Sequence, residues 1–136
     1  MPRGKKIIFD VNVWLAIFLD RELYIIKKLI IDGDNLILRS PELTAELMRV
    51  MKFKKFNDRW ETSLNDCLLF FEDYTVNFVA EALFVGCSDK DDNFLFDLAI
   101  QTGADYLVSR DKTVQKTLIH QPTEIINYEE FKKLFF

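Results

Sequence analysis

The sequence predicts an α/β protein in which helices cover both faces of a central, mainly parallel sheet. Short apolar runs that suit buried strands alternate along the chain with segments whose apolar residues recur at helical spacing, and this alternation is typical of βαβ units. The apolar runs are nearly continuous, as in strands buried on both faces. Because 136 residues suit one hydrophobic core, a single domain over residues 1–136 is predicted.

The first predicted strand is the basic and then apolar stretch 5–9, which Asp10 follows directly. An acid in this position lies at the carboxyl end of the strand, where open α/β sheets bind ligands. Apolar residues at helical spacing then predict two helices, over Val13–Phe18 and Arg21–Ile31, and Gly33 suits the end of the second. We therefore expect the rest of the chain to bring further acids to the edge of the sheet around Asp10.

The second predicted strand, Leu36–Leu38, leads into a strong helix signal. Ser40 is a preferred N-cap and Pro41 suits the first helical position, so a helix is predicted as far as about Met51. At about 100° per residue, Glu46 lies at the edge of the apolar face of this helix. It is either a functional acid, a solvated one, or the partner of a nearby arginine.

The middle of the chain predicts a helix from the cap Asn57–Asp58 to about Phe71, a third strand over Thr75–Val79 and a loop over Glu81–Lys90. A helix over Asp92–Thr102 follows, capped by Asp89 or Asp91 and ended by Gly103. The polar stripe of this helix consists of Asn93, Asp97 and Gln101. On the same helical arithmetic, Asp92 lies about 40° from the centre of the opposite, apolar face, so it is expected on the buried side.

The last part of the chain completes a sheet of about five strands. A fourth strand over Ala104–Ser109 is followed closely by Asp111, and a fifth covers Glu124–Ile126. Helical segments are predicted over Lys112–Ile119 and Tyr128–Phe136. The terminal helix is more apolar than one buried side requires, so we expect a second subunit, in a homodimer, or another partner to cover part of it.

The net charge of −4 argues against a general nucleic-acid coat, although one basic run stands out. This run interleaves with Phe53 and Phe56 and consists of Arg49, Lys52, Lys54, Lys55 and Arg59. It is either a solvated face over buried rings or a surface that contacts an RNA backbone and stacks bases. The same apolar positions could instead bind a partner protein or a second subunit.

No signal peptide precedes the first strand, and no apolar run reaches the ~18 residues of a membrane span. We therefore expect a cytoplasmic protein without a membrane partner. Two cysteines, Cys67 and Cys87, do not indicate a disulfide scaffold and are expected to be reduced.

Four acids stand at strand ends, helix faces or helix starts: Asp10, Glu46, Asp92 and Asp111. If the strands are adjacent, these carboxylates meet at one edge of the sheet, where they would repel one another. Such a cluster usually holds a hard cation, and oxygen ligands suit Mg²⁺ or Mn²⁺. Since His120 is the single histidine and no phosphate loop or nucleophile elbow is present, the pattern indicates metal-assisted hydrolysis.

The residues resemble the PIN-domain ribonucleases, in particular the small prokaryotic toxins of toxin–antitoxin pairs (VapC-like). The matching stretches are Ile8–Trp14, Ser40–Leu47, Asp89–Leu95 and Gly103–Asp111. The resemblance covers nearly the whole chain, and it rests on the order and spacing of these stretches together.

The resemblance implies a three-layer α/β/α sandwich and a metal-dependent endoribonuclease that acts on single-stranded RNA. It also implies a small antitoxin protein as a partner and site acids at Asp10, Glu46, Asp92 and Asp111. Asn12 and Ser109 match polar positions beside the first and fourth acids, and Asp91 could substitute for Asp92.

Other functions compete with this one. A phosphatase of the haloacid dehalogenase type needs a second Asp two residues after the first, where this chain has Asn12. A receiver-type signalling domain needs paired acids near the first strand and a Lys after the fifth, and the sequence does not match that pattern. A PIN scaffold without catalytic activity, which binds RNA or a protein partner, is the remaining alternative, and the presence of all four acids weighs against it.

Overall fold

A computed structural model describes residues 1–60, 62–119 and 122–136. In these residues five strands form one parallel sheet, which confirms the predicted fold class. The strands are Lys6–Phe9 (β1), Leu36–Arg39 (β2), Val76–Asn77 (β3), Tyr106–Val108 (β4) and Glu124–Ile126 (β5). Their spatial order is β3-β2-β1-β4-β5, so β1 lies at the centre.

Seven α-helices connect or follow the strands in the described part of the chain. They are Val11–Leu19 (α1), Leu23–Ile31 (α2), Pro41–Met51 (α3), Leu64–Asp73 (α4), Asn93–Thr102 (α5), Lys112–Gln115 (α6) and Tyr128–Phe135 (α7). Ile7, Ile8 and Phe9 of β1 are all fully buried. Because successive side chains of a strand point to opposite faces, helices must cover the sheet on both sides. None of the described helices is long and apolar enough to cross a membrane.

The strand order places a topological switch point between β1 and β4. The chain runs outward from β1 through β2 to β3, and then returns to form β4 on the other side of β1. Phe9 pairs with Val108 across these two central strands, and the amide of Asp10 donates to the carbonyl of Val108 at 2.9 Å. The carboxyl ends of β1 and β4 are therefore adjacent, which is where ligands bind in open α/β sheets.

An aromatic cluster anchors α1 beneath this edge. Trp14 of α1 meets Phe9 and Phe71 edge to face, with ring centroids 5.7 and 4.9 Å apart, and Phe131 of α7 meets Phe9 at 5.2 Å. Trp14, Phe9, Phe71 and Phe131 are all fully buried. Edge-to-face pairs add to the stability that burial of the rings already gives. The start of α1, immediately after Asp10, is thus anchored in the hydrophobic core.

Several element boundaries differ from the sequence-based ones, because local capping decides them. The start predicted at Asn57–Asp58 for the fourth helix is wrong, because the chain forms a 3-10 helix over Lys54–Arg59 there. The helix α4 begins only after Ser63, whose hydroxyl accepts a hydrogen bond from the amide of Asp66 at 3.1 Å. The helix α2 begins at Leu23 because Arg21 has a positive φ of 58°, which does not continue a right-handed helix.

Other predicted elements are shorter than expected, and the fourth strand, predicted over Ala104–Ser109, covers only Tyr106–Val108. The strand predicted over Thr75–Val79 is reduced to Val76–Asn77, which pairs with β2 alone at the edge of the sheet. The segment predicted to be helical over Lys112–Ile119 is an α-helix only as far as Gln115.

The polar stripe of α5 packs against another part of the chain and is not a solvent-exposed face. Asp97 is only 5% exposed and accepts hydrogen bonds from two amides of the segment 81–87, at 3.0 and 2.7 Å. Gln101 accepts from the amide of residue 81 at 2.8 Å and donates to its carbonyl at 2.7 Å, and Asn93 accepts from the amide of residue 87 at 3.0 Å. The stripe therefore binds the backbone of an irregular segment to the helix.

Candidate active site

A cleft of about 880 Å³ opens at the switch point between β1 and β4. All four acids predicted as site residues line it: Asp10, Glu46, Asp92 and Asp111. They come from four separate parts of the chain, namely the end of β1, the middle of α3, the start of α5 and the loop after β4. The fold thus brings together the residues that the sequence analysis grouped.

Asp10 is the most buried acid of the cleft, with 6% of its surface exposed. Its carboxylate caps α1 by accepting from the amide of Val11 at 2.7 Å, and it accepts from the hydroxyl of Ser109 at 2.6 Å. Burial raises the pKa of Asp10 above its ordinary value, and the charges of Asp111 and Glu46 raise it further. The two hydrogen bonds act in the opposite direction, because they favour the ionised form.

Asn12 and Ser109 connect the ends of the two central strands. The side-chain oxygen of Asn12 accepts from the amide of Arg110 at 3.0 Å, and its amide nitrogen lies 3.4 Å from the Asp10 carboxylate. The hydroxyl of Ser109 donates to Asp10 and accepts from the amide of Asp111 at 3.0 Å. Both side chains predicted to support the site therefore position the loop that carries Asp111.

Asp92 lies at the N-terminus of α5 without capping it, and its Oδ2 atom is buried with no hydrogen-bond partner among the described residues. Burial raises the pKa of Asp92 to about 7, with further contributions from the charges of Asp10, Asp89, Asp111 and Asp91. A buried carboxylate oxygen without a donor is costly. A cation bound among these acids would remove that cost.

Asp111 also caps the short helix α6. Its Oδ1 atom accepts from the amide and the hydroxyl of Thr113, at 2.9 and 2.7 Å. The sequence analysis allowed a capping role and a place in the site to coexist, and Asp111 both caps α6 and lines the cleft.

Glu46 is paired with Arg49 in this structure. The guanidinium donates to both carboxylate oxygens, at 2.6 and 3.1 Å, one turn further along α3. Arg49 also lines the cleft, and the hydrogen bond and charge of Glu46 raise its pKa. The ion pair is exposed, so it adds little to stability and can open at low cost.

The lining of the cleft also includes residues that were not predicted as site residues, among them Glu42, Asp89 and Phe94. Glu42 is exposed, and it lies four residues before Glu46, so the two acids share one side of α3. That spacing is a signal the sequence offers. Asp89 caps the 3-10 turn before α5 by accepting from the amide of Asp91 at 3.0 Å. Asp91, the predicted substitute for Asp92, is exposed and also lines the cleft.

The basic run lies mostly outside the cleft. Of its members, Arg49 is a lining residue, and the lining does not include Lys52, Lys54, Lys55 or Arg59. Phe53 and Phe56 are half-buried, and the ammonium of Lys55 lies 5.1 Å from the ring centre of Phe56. His120 lies outside the described residues.

The chemistry of the cleft fits a hard divalent cation. Most of the polar side chains that line it are carboxylates, whose oxygens are the ligands that Mg²⁺ and Mn²⁺ prefer. In addition, one buried oxygen of Asp92 has no hydrogen-bond donor among the described residues. Within the same residues, however, no three acidic, His or Cys side chains stand close enough to form a ready-made ligand set. Side chains such as Glu46 would have to turn inward from their present contacts to complete one.

Comparison with known families and structures agrees with this architecture. The PIN domain family model matches residues 6–113. A solved structure with a similar fold is that of VapBC2 from Rickettsia felis bound to a DNA fragment from their promoter: one of its chains matches with a TM-score of 0.61 and 18% identity, over 90% of this chain and 98% of that one. Comparison with curated protein sequences finds no match.

Replacing Asp92 by Asn should flatten the pH dependence of stability without metal. The pKa of Asp92 is raised from 3.8 to about 7 on folding. The protonated form therefore stabilises the folded state fully below about pH 4, and this stabilisation is lost as the pH rises to about 7. For a partly exposed group, we expect a loss of roughly 1–2 kcal/mol in the wild type.

The measurement is urea unfolding in chelator across this pH range. The free energy of unfolding of Asp92→Asn should fall less steeply with pH than that of the wild type, whereas Asp73→Asn, an exposed acid of α4 outside the cleft, should follow the wild type. Parallel curves for Asp92→Asn and the wild type would contradict the assignment of the raised pKa.

Proposed function

Because the chain belongs to the PIN domain family, we propose that it is a metal-dependent endoribonuclease that cleaves single-stranded RNA and acts as the toxin of a toxin–antitoxin pair. The observation that carries the proposal is the shared cleft of four carboxylates at the switch point of the sheet. The likeness to a structure of VapBC2 supports the toxin–antitoxin assignment. We further propose that the protein acts in the cytoplasm, where its RNA substrates are found.

Asp10, Glu46, Asp92 and Asp111 would hold one or two Mg²⁺ or Mn²⁺ ions. Asp10 is the most rigidly placed, since the backbone of α1 and the hydroxyl of Ser109 both bind its carboxylate. When bound, the ion would lower the pKa of a water molecule and neutralise charge on the phosphodiester. Asp92, with a pKa near 7, is partly protonated at neutral pH without metal and would release this proton on binding a cation.

A specific observation supports an alternative function as a catalytically inactive PIN scaffold that binds RNA or a protein partner. The guanidinium of Arg49 donates hydrogen bonds to both carboxylate oxygens of Glu46, at 2.6 and 3.1 Å. The acids of the described residues also do not form a ready-made set of metal ligands. In that case, the cleft would bind a partner group without cleaving RNA. The cleavage assay below distinguishes the two functions.

Replacing Asp10 by Asn tests whether the acids of the cleft cleave single-stranded RNA in the presence of Mn²⁺. Asp10→Asn keeps the shape of the side chain but removes its charge, so it should reduce cleavage by at least about a hundredfold. Its melting temperature in chelator should equal or exceed that of the wild type, because one of the crowded carboxylates has lost its charge. Asp73→Asn is the control that should cleave normally.

Chelator should abolish cleavage by the wild type. Equal cleavage by the wild type and Asp10→Asn would refute the mechanism. Failure of both proteins to cleave any tested RNA would favour the scaffold function.

The basic run around Lys54 and Lys55 is tested as an RNA-binding surface by reversing its charge. Lys54 and Lys55 are exposed, and reversing both to Glu should weaken RNA binding and reduce the salt slope of the affinity by roughly 1–1.5, as expected when two phosphate contacts are lost. Lys27 and Lys28, an exposed pair on α2, are the matched control for the same charge change. An equal effect of both double variants would mean that net charge alone matters.

The end of the chain around α7 carries apolar side chains that only partly reach the core. On α7, Phe131 and Phe135 are buried, but Leu134 and the residue that follows the helix, Phe136, remain 47% and 49% exposed. We propose that this side of α7 is covered by a second subunit in a homodimer or by the antitoxin. If a second subunit covers it, light scattering should give the mass of a dimer for the wild type and of a monomer for Leu134→Glu. A wild type that stays monomeric at high concentration would argue against self-association.

A further inference from the structure

A second cavity adjoins the acidic cleft. Its volume is about 390 Å³, and it shares Glu42, Asp91 and Phe94 with the cleft. We call it the side pocket. Because the two cavities have these residues in common, a chain that crosses the cleft can place a side group in the side pocket without leaving the surface of the protein.

Half of the residues that line the side pocket are apolar, and two of these are aromatic. Ala80, Ala82, Phe84 and Val85 come from one stretch of the chain and form one wall, and Phe94 of α5 also lines the pocket. The ring of Phe84 is itself stacked on the buried ring of Phe96, with centroids 4.8 Å apart. An aromatic side chain fixed in this way is a surface on which a flat, uncharged ring can stack.

The wall formed by residues 80–85 is irregular in structure but fixed in place. It belongs to the segment that Asn93, Asp97 and Gln101 bind through its backbone. Five hydrogen bonds between these side chains and the segment link it to α5, and Asp97 is buried. A wall that is already ordered loses little entropy when a ligand binds.

The charges around the side pocket favour a base over a phosphate. The exposed carboxylates of Glu42 and Asp91 stand where the pocket joins the cleft, and they would repel a phosphate group. They can, however, accept hydrogen bonds from an exocyclic amino group, as acids do from cytosine. Lys90, exposed on the same lining, provides a cation for the phosphate that stays outside.

We propose that the side pocket is a nucleobase subsite, which takes the base of a nucleotide near the bond to be cleaved and prefers bases with an exocyclic amino group to uracil. The inference rests on the proposed function, since it assumes that single-stranded RNA lies in the cleft. It adds a reason for sequence preference, because one base would be read beside the scissile phosphate.

The test measures equilibrium binding, so it does not depend on cleavage. Fluorescence anisotropy with Asp10→Asn protein and Mn²⁺ compares oligouridine with the same strand carrying one adenosine, one cytidine or one abasic residue at each position in turn. At one position, adenosine and cytidine should bind at least about fivefold more tightly than the abasic residue, as expected for base stacking, and also more tightly than uridine.

Phe84→Leu and Phe94→Leu, each added to the Asp10→Asn protein, should reduce this preference to less than about twofold, because Leu keeps apolar volume but removes the stacking surface. Phe78→Leu is the matched control: Phe78 precedes the same wall, is 36% exposed and does not line the pocket. It should leave the preference unchanged. Two variants are used so that the result survives if one of them fails to fold.

The proposal is overturned if no position shows a preference, if the protein does not bind RNA, or if Phe78→Leu acts like the pocket variants. Its failure can be told apart from failure of the proposed function. A wild type that does not cleave, together with a preference that the pocket variants remove, would leave the subsite intact on an inactive scaffold. Cleavage without any preference would leave the nuclease intact and remove the subsite.

Discussion

One buried carboxylate, that of Asp10, connects the central strands, the helix α1 and the loop that carries Asp111. It ends the central strand, caps α1 through the amide of Val11, and accepts a hydrogen bond from Ser109 at the end of the neighbouring strand. Ser109 in turn accepts from the amide of Asp111. Burial of an acid costs free energy, and these hydrogen bonds offset part of that cost. A single side chain thereby fixes the relative positions of two strands, a helix and the loop that carries another acid.

The crowding of acids around Asp10 shows that local stability has been given up at this edge of the sheet. The pKa values of Asp10 and Asp92 are both raised, first by burial and then by neighbouring carboxylates, so the ionised cluster destabilises the folded state. Such strain is common where activity requires it. The aromatic packing of Trp14 beneath the cleft supplies stability that does not depend on the charges. The site can therefore remain unfavourable locally while the domain stays folded.

The sequence predicted those parts of the fold and site that depend on local chemistry. Ser40 before Pro41 gave the start of α3, and Asp10 after an apolar run gave a strand end. It did not predict which polar groups meet across the fold. A helical pattern identifies Asp97 as part of a polar stripe, but it does not identify the irregular backbone that donates hydrogen bonds to its carboxylate. The competition between Asn57–Asp58 and Ser63 as caps could not be settled either, because both are good caps and only packing selects one.

The helix α5 contributes to both cavities, which has a consequence for how binding and chemistry would be related. The helix follows Asp92, which lines the cleft, and its side chains Asn93, Asp97 and Gln101 hold the segment that forms a wall of the side pocket. An α-helix advances only about 1.5 Å per residue and bends little. The distance between a base in the side pocket and the acids of the cleft is therefore set by one rigid element. A base bound there would fix which phosphate lies over Asp92, so recognition of the base and the position of cleavage would depend on the same helix.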